Sequence, residues 1–120
     1  MMILIAEDDK FIASAYRVKF VNQGWDVKIA SNGQEVLDFL KTNKPDLILV
    51  DLIMPVMDGF EVLENIGKLE GLKKVPVIVA SNLSQKEDKS RALKLGATDY
   101  FVKSEMTLDS LVEKIKNLLG

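Results

Sequence analysis

The 120-residue chain contains neither cysteine nor histidine. Without cysteine there is no disulfide, no thiolate nucleophile and no cysteine-bound zinc or iron, and without histidine the commonest general base and imidazole metal ligand are gone. Any chemistry must run on carboxylates, lysine and hydroxyls. No stretch approaches the roughly 20 apolar residues of a membrane span. The short run from Met1 to Ala6 ends in acid, with no basic leader and no cleavage-site pattern. Both absences favour a cytoplasmic protein with no membrane partner. The 16 basic and 18 acidic residues nearly balance, and the basic ones are scattered, so no direct nucleic-acid partner is expected. Repeats, low-complexity tracts and linkers are also missing, which leaves one ordinary domain, 1–120, with no second function appended to it.

What is present is an alternation of short apolar runs with longer amphipathic ones, the pattern of parallel strands joined by crossover helices. Strands are expected at Met2 to Ala6, Asp26 to Ala30, Asp46 to Val50, Val75 to Ala80 and Tyr100 to Val102. Five helical segments lie between and after them. The first runs from about Asp9 to Asn22 with Gly24 as its stop, and the last begins near Thr107 with Leu108, Leu111, Val112, Ile115 and Leu118 at helical spacing. Asn32, Asp58 and Ser84 each stand three residues before a glutamate, the spacing of a capping box. Gly71-Leu72-Lys73-Lys74 reads as a loop.

Two acidic groups end strands. Asp51 closes Leu47-Ile48-Leu49-Val50 and is followed by Leu52-Ile53-Met54-Pro55-Val56-Met57-Asp58-Gly59, while Glu7-Asp8-Asp9 follows Met2-Ile3-Leu4-Ile5-Ala6. Open α/β sheets bind ligands at the carboxyl ends of their strands. In a doubly wound sheet of order 2-1-3-4-5, strands one and three are neighbours about 4.8 Å apart, which gathers Glu7, Asp8 and Asp51 in one crevice. Carboxylates that close disfavour joint ionisation unless a cation joins them, and an all-oxygen set suits Mg2+. Ser81 ends the next strand and Lys103 the one after it, roughly 9.6 Å from Asp51 and within a lysine's reach. Nucleophile, cation, ammonium and hydroxyl together form a site for making an aspartyl phosphate.

The residues Ile3-Leu4-Ile5-Ala6-Glu7-Asp8-Asp9, Asp51 with Met54-Pro55 and Met57-Asp58-Gly59, Pro76 to Ser81, Leu95-Gly96-Ala97 and Tyr100-Phe101-Val102-Lys103 resemble the receiver domain of two-component response regulators from end to end. The resemblance implies a flavodoxin-like sheet with helices on both faces. It makes Asp51 the phosphoacceptor, Glu7 and Asp8 the magnesium-binding acids, and the Ile53 carbonyl a further metal ligand. Ser81 becomes the switch hydroxyl, Lys103 the phosphoryl-binding ammonium, and Tyr100 the aromatic that swings inward when Ser81 moves. Ile53 and Leu83 occupy the two positions that flank the phosphoryl group and tune dephosphorylation. The implied partners are a sensor histidine kinase or phosphotransfer protein and a downstream target protein. The target would be met through helix four, strand five and helix five, around Lys89, Arg91, Lys94, Met106 and Ser110. Ser104 replaces the family's usual proline, so the Lys103–Ser104 peptide is expected to be trans.

Taken singly, these residues have plainer readings. Asp51 alone would be a turn former, Ser81 a solvated loop hydroxyl, Lys103 a surface lysine and Tyr100 a core aromatic. Asp9 reads as a first-turn acid, Asp58 as an N-cap, Gly59 as permissive backbone, and Met54 and Met57 as packing. The joint pattern reverses the readings of Asp51, Ser81, Lys103 and Tyr100, while Asp9, Asp58, Gly59, Met54 and Met57 stay outside the site. A flavin or nucleotide site would offer glycine and hydroxyl donors where Glu7-Asp8-Asp9 stands, and a dehalogenase-type phosphohydrolase needs a second aspartate where Ile53 stands. A degenerate receiver used as a phosphorylation-independent interaction module is the remaining alternative.

Overall fold

A computed structural model describes all residues 1–120. Five parallel strands, β1 (Met2–Ala6), β2 (Asp26–Ala30), β3 (Leu47–Val50), β4 (Val77–Ser81) and β5 (Asp99–Val102), form one sheet in the order β2-β1-β3-β4-β5. Helices α1 (Lys10–Val21), α2 (Gly33–Leu40), α3 (Gly59–Gly67), α4 (Lys86–Lys94) and α5 (Leu108–Leu119) alternate with them. No helix is long and apolar enough to cross a membrane.

Strand alternation sorts the core into two layers. Leu4, Ala6, Ile48, Val50, Val77, Val79 and Tyr100 pack with residues of α2, α3 and α4, whereas Ile3, Ile5, Leu47, Leu49, Ile78 and Ala80 pack with Tyr16 and Phe20 of α1 and Leu111, Val112 and Ile115 of α5. The central strands are therefore buried on both faces, as their unbroken apolar runs require. Ala6 pairs with Val50, Val50 with Val79, and Ser81 with Val102, so the carboxyl ends of the four strands lie side by side.

Caps fix where several helices begin. Asp9 accepts from the amides of Phe11 and Ile12, which makes it the N-cap of α1 rather than a first-turn acid. Asn32 and Asp58 cap α2 and α3 as expected. Glu35 reaches back to Ser31, not Asn32. Ser84 does not cap α4: that helix starts one residue later, behind Gln85, which makes no side-chain cap bond. The reciprocal capping box belongs to Thr107 and Ser110 at α5, where serine replaces the usual glutamate. The expected loop at Gly71 contains a 3-10 turn, Glu70–Leu72, that tucks Leu72 into the core.

Gly59 is required by proximity. A Cβ there would stand 2.3 Å from the Asp51 carbonyl oxygen, because the start of α3 is drawn against the end of β3 by the Gly59 N–H to Leu52 carbonyl bond of 2.9 Å. That contact anchors the segment following Asp51. The Lys103–Ser104 peptide is trans.

Candidate functional site

Asp51 follows Val50 at the end of β3, its amide bonded to the Ala6 carbonyl at 3.0 Å, and Glu7 follows Ala6 at the end of β1. Oxygens of Glu7, Asp8 and Asp51 lie within 4.8 Å of one another, Asp8 exposed and the other two buried. Continuing the strand alternation, Glu7, Asp51 and Lys103 point to the α1/α5 side of the sheet. Lys103 spans the gap from β5: its Nζ donates to Asp51 Oδ2 at 2.8 Å and to Glu7 Oε1. One ammonium is thus shared by two buried carboxylates.

The electrostatics follow from that sharing. Burial pushes the Glu7 carboxyl above the ordinary carboxylate range, and the bonds from Lys103 and the Asp9 amide only partly offset it. Burial works against the Lys103 charge too, but bonds to Asp51 and Glu7 outweigh it and hold the ammonium above the usual lysine range. Glu7, Asp8, Asp9, Ile12, Asp51, Ile53, Asn82 and Lys103 line a crevice of about 250 Å³. Such a lining repels a bare phosphate and offers hard oxygen ligands to a small divalent cation, so the residues fit magnesium. It contains no glycine-rich phosphate cradle. A second aspartate is also missing at Ile53, as the rival readings would have needed.

Ser81 and Tyr100 occupy the other side of the sheet. Ser81 is fully buried rather than solvated, its Oγ accepting from the Leu83 amide at 3.3 Å. The Tyr100 hydroxyl already points inward and donates to the Leu83 carbonyl at 2.6 Å. Burial, then the charges of Asp88 and Asp51, raise its pKa and keep it a donor. Ile53 lines the crevice and is 57% exposed, its amide donating to Asp51 Oδ1 at 3.3 Å. Leu83 does not line it; its side chain packs against the core on the α3/α4 side, and Asn82 takes the place at the rim. Asn82 escaped the sequence reading because it follows a strand with no motif to mark it. Lys89, Arg91 and Lys94 lie on α4, Arg91 stacked 4.1 Å over the Phe60 ring, while Met106 packs against the α1/α5-side core and the Ser110 hydroxyl serves its cap.

A family model described as the response regulator receiver domain matches residues 3–116. The chain belongs to that family. This receiver domain is 34% identical over 117 residues to the probable transcriptional regulator ycf29 of Porphyra purpurea, covering 98% of this chain and 56% of that protein. Among solved structures it resembles the Francisella response regulator 1452 receiver domain, with a TM-score of 0.90 and 36% identity over 98% of this chain and 95% of that one. It also resembles a CheY-like receiver domain protein from Methanospirillum hungatei JF-1, with a TM-score of 0.91 and 30% identity over 98% and 92%. The chain spans about half the length of the curated relatives it matches. A receiver domain is a module of two-component signalling rather than a classical enzyme, and receivers generally bind magnesium at an acidic cluster; Glu7, Asp8 and Asp51 form such a cluster here.

Proposed function

We propose that this receiver accepts a phosphoryl group from a phosphohistidine, on a sensor histidine kinase or a phosphotransfer protein, onto Asp51. The observation that carries this reading is the Lys103 ammonium bound to the Asp51 carboxylate 2.8 Å away in a crevice that also holds Glu7 and Asp8. An Asp51 oxygen attacks phosphorus in line, the P–N bond breaks with its electron pair going to the ring, and the histidine departs as neutral imidazole because its other ring nitrogen already carries a proton. Lys103 then follows the phosphoryl oxygens. Glu7, Asp8, Asp51 and the Ile53 carbonyl would hold magnesium, which when bound neutralises charge on the transferring group.

Ser81 moves toward a phosphoryl oxygen, and Tyr100, hydrogen-bonded to the Leu83 carbonyl beside it, follows that loop. Phosphorylation would shift an equilibrium between loop positions, and the α4–β5–α5 face would carry the change to a downstream protein. A cytoplasmic setting agrees with such partners.

Exposure to a small acyl phosphate with magnesium should add the mass of one phosphoryl group to the protein. Asp51→Asn should add none, because an amide of equal size lacks the nucleophilic charge. No mass gain in the parent would refute the reading and leave the phosphorylation-independent interaction module in its place.

A further inference from the structure

Tyr16 lies on the face of α1 that packs against the sheet, its ring stacked on Phe20 with centroids 5.9 Å apart. The residue is 2% exposed, and its hydroxyl is the one buried side-chain polar atom with no hydrogen-bond partner. A buried orphan hydroxyl costs free energy that phenylalanine at the same place would avoid. Such an exception asks for an explanation.

The surroundings supply one. Tyr16 belongs to the α1/α5-side layer together with Ile3, Ile5, Leu47 and Leu49, and the strand alternation sends Glu7, Asp51 and Lys103 to that same side, at the carboxyl ends of β1, β3 and β5. After burial, the charges of Glu7 and Asp51 are what hold the phenol pKa above its ordinary value, so it remains a proton donor across the working range. Glu7 is 3% exposed and has two donors, the Lys103 ammonium on Oε1 and the Asp9 amide on Oε2 at 3.2 Å. Phosphorylation of Asp51 draws the ammonium toward the new phosphoryl oxygens. Glu7 then loses its stronger donor in a place with little access to water, and a magnesium ion held in the crevice would occupy only some of its lone pairs.

We propose that the Tyr16 hydroxyl is the donor that takes over Glu7 when Lys103 leaves it for a phosphoryl group on Asp51. Tyr16 is thereby a positioning residue: it frees Lys103 for the phosphoryl group by satisfying the carboxylate the lysine abandons. A carboxylate can accept from the phenol and still present lone pairs to a cation in the crevice. The inference rests on the phosphoacceptor reading of Asp51.

The test is Tyr16→Phe, which removes the hydroxyl and keeps the stacked ring. Thermal unfolding without ligand should show the variant at least as stable as the parent. Titration with beryllium fluoride in saturating magnesium, the fluoride complex standing in for the phosphoryl group, should show affinity about tenfold weaker, the scale of one hydrogen bond to a charged group. Magnesium alone should bind both proteins within about twofold, since without a phosphoryl group Lys103 has nowhere better to go. Beryllium fluoride affinity within about twofold of the parent would overturn the inference and leave the phosphoacceptor reading standing. A variant that is less stable and binds magnesium and beryllium fluoride equally poorly would also overturn it, since that is merely structural damage. A parent that ignores beryllium fluoride would remove both the inference and the reading beneath it.

Discussion

Lys103→Met should destabilise the magnesium-free protein in a strongly pH-dependent way. Its ammonium is 2.8 Å from Asp51 and also binds Glu7, and both carboxylate side chains are at most 9% exposed. At an effective dielectric constant near 20, one such pair is worth about 6 kcal/mol of attraction, and breaking a buried pair by removing one partner typically costs about 3–5 kcal/mol. The folded variant has a cheaper course, which is to take up a proton. Neutralising a carboxyl whose ordinary pKa is 4.5 costs about 3.4 kcal/mol at pH 7 and under about 1 kcal/mol at pH 5, at about 1.4 kcal/mol per unit. Those figures cap the share of the penalty that falls on Glu7 at each pH.

The sign follows from Glu7. Burial already holds its folded pKa above the unfolded value, and deleting Lys103 removes a bond that lowered it, so it rises further. A carboxyl raised on folding is proton-bound more in the folded state; the associated stability is complete below the unfolded pKa and is lost as pH climbs toward the folded one. Urea unfolding in chelator, followed by the fluorescence of Trp25, the chain's single tryptophan, should therefore show a penalty of about 3 kcal/mol at pH 7 and under about 1 kcal/mol at pH 5. Millimolar magnesium should restore part of the loss at pH 7 and little at pH 5. An equal penalty at both pH values would refute the reasoning, because the groups left bare would not be carboxylates.

Two further outcomes test neighbouring features. Ile53→Asn should speed loss of the phosphoryl group several-fold, and more than Leu83→Glu does, because Ile53 lines the crevice where an attacking water must stand and Leu83 does not; decay of the phosphorylated mass in excess magnesium measures this, and equal effects would count against it. Val56 is 79% exposed, has φ of 70°, and sits at the centre of a tight turn closed by the Met57 amide to the Pro55 carbonyl at 2.7 Å. A β-branched residue there is strained by about 1–2 kcal/mol, so Val56→Gly should raise stability by up to about 1 kcal/mol net of the glycine's extra unfolded-chain entropy; a lower urea midpoint would contradict that.

Strand ends and acids were legible because their signals are local. Apolar runs broken by Asp51, Glu7, Ser81 and Lys103 report where strands stop, and doubly wound sheets place those stops along one edge. Asn32 and Asp58 announced their helices because a cap acts within three residues. Ser84 failed by the same token: a spacing that permits a cap does not oblige the chain to use it, and α4 begins beyond it. Boundaries slipped where burial decided them, so Ser81 belongs to β4 and Leu72 to a 3-10 turn packed on the core.

The sequence by itself determined the order of elements, the five-stranded parallel sheet and the acid, hydroxyl and lysine at its carboxyl edge, because periodicity and chain breaks are properties of neighbouring residues. Only the tertiary structure decided that Lys103 binds Glu7 as well as Asp51, that Ser81 is fully buried and Tyr100 bonds the Leu83 carbonyl, that Asn82 rather than Leu83 lines the crevice, and that the Tyr16 hydroxyl is buried without a partner. Each of those depends on which face of the sheet a side chain takes and on what a helix distant in sequence packs against it, and desolvation is set by those distant contacts, which no local pattern of residues encodes.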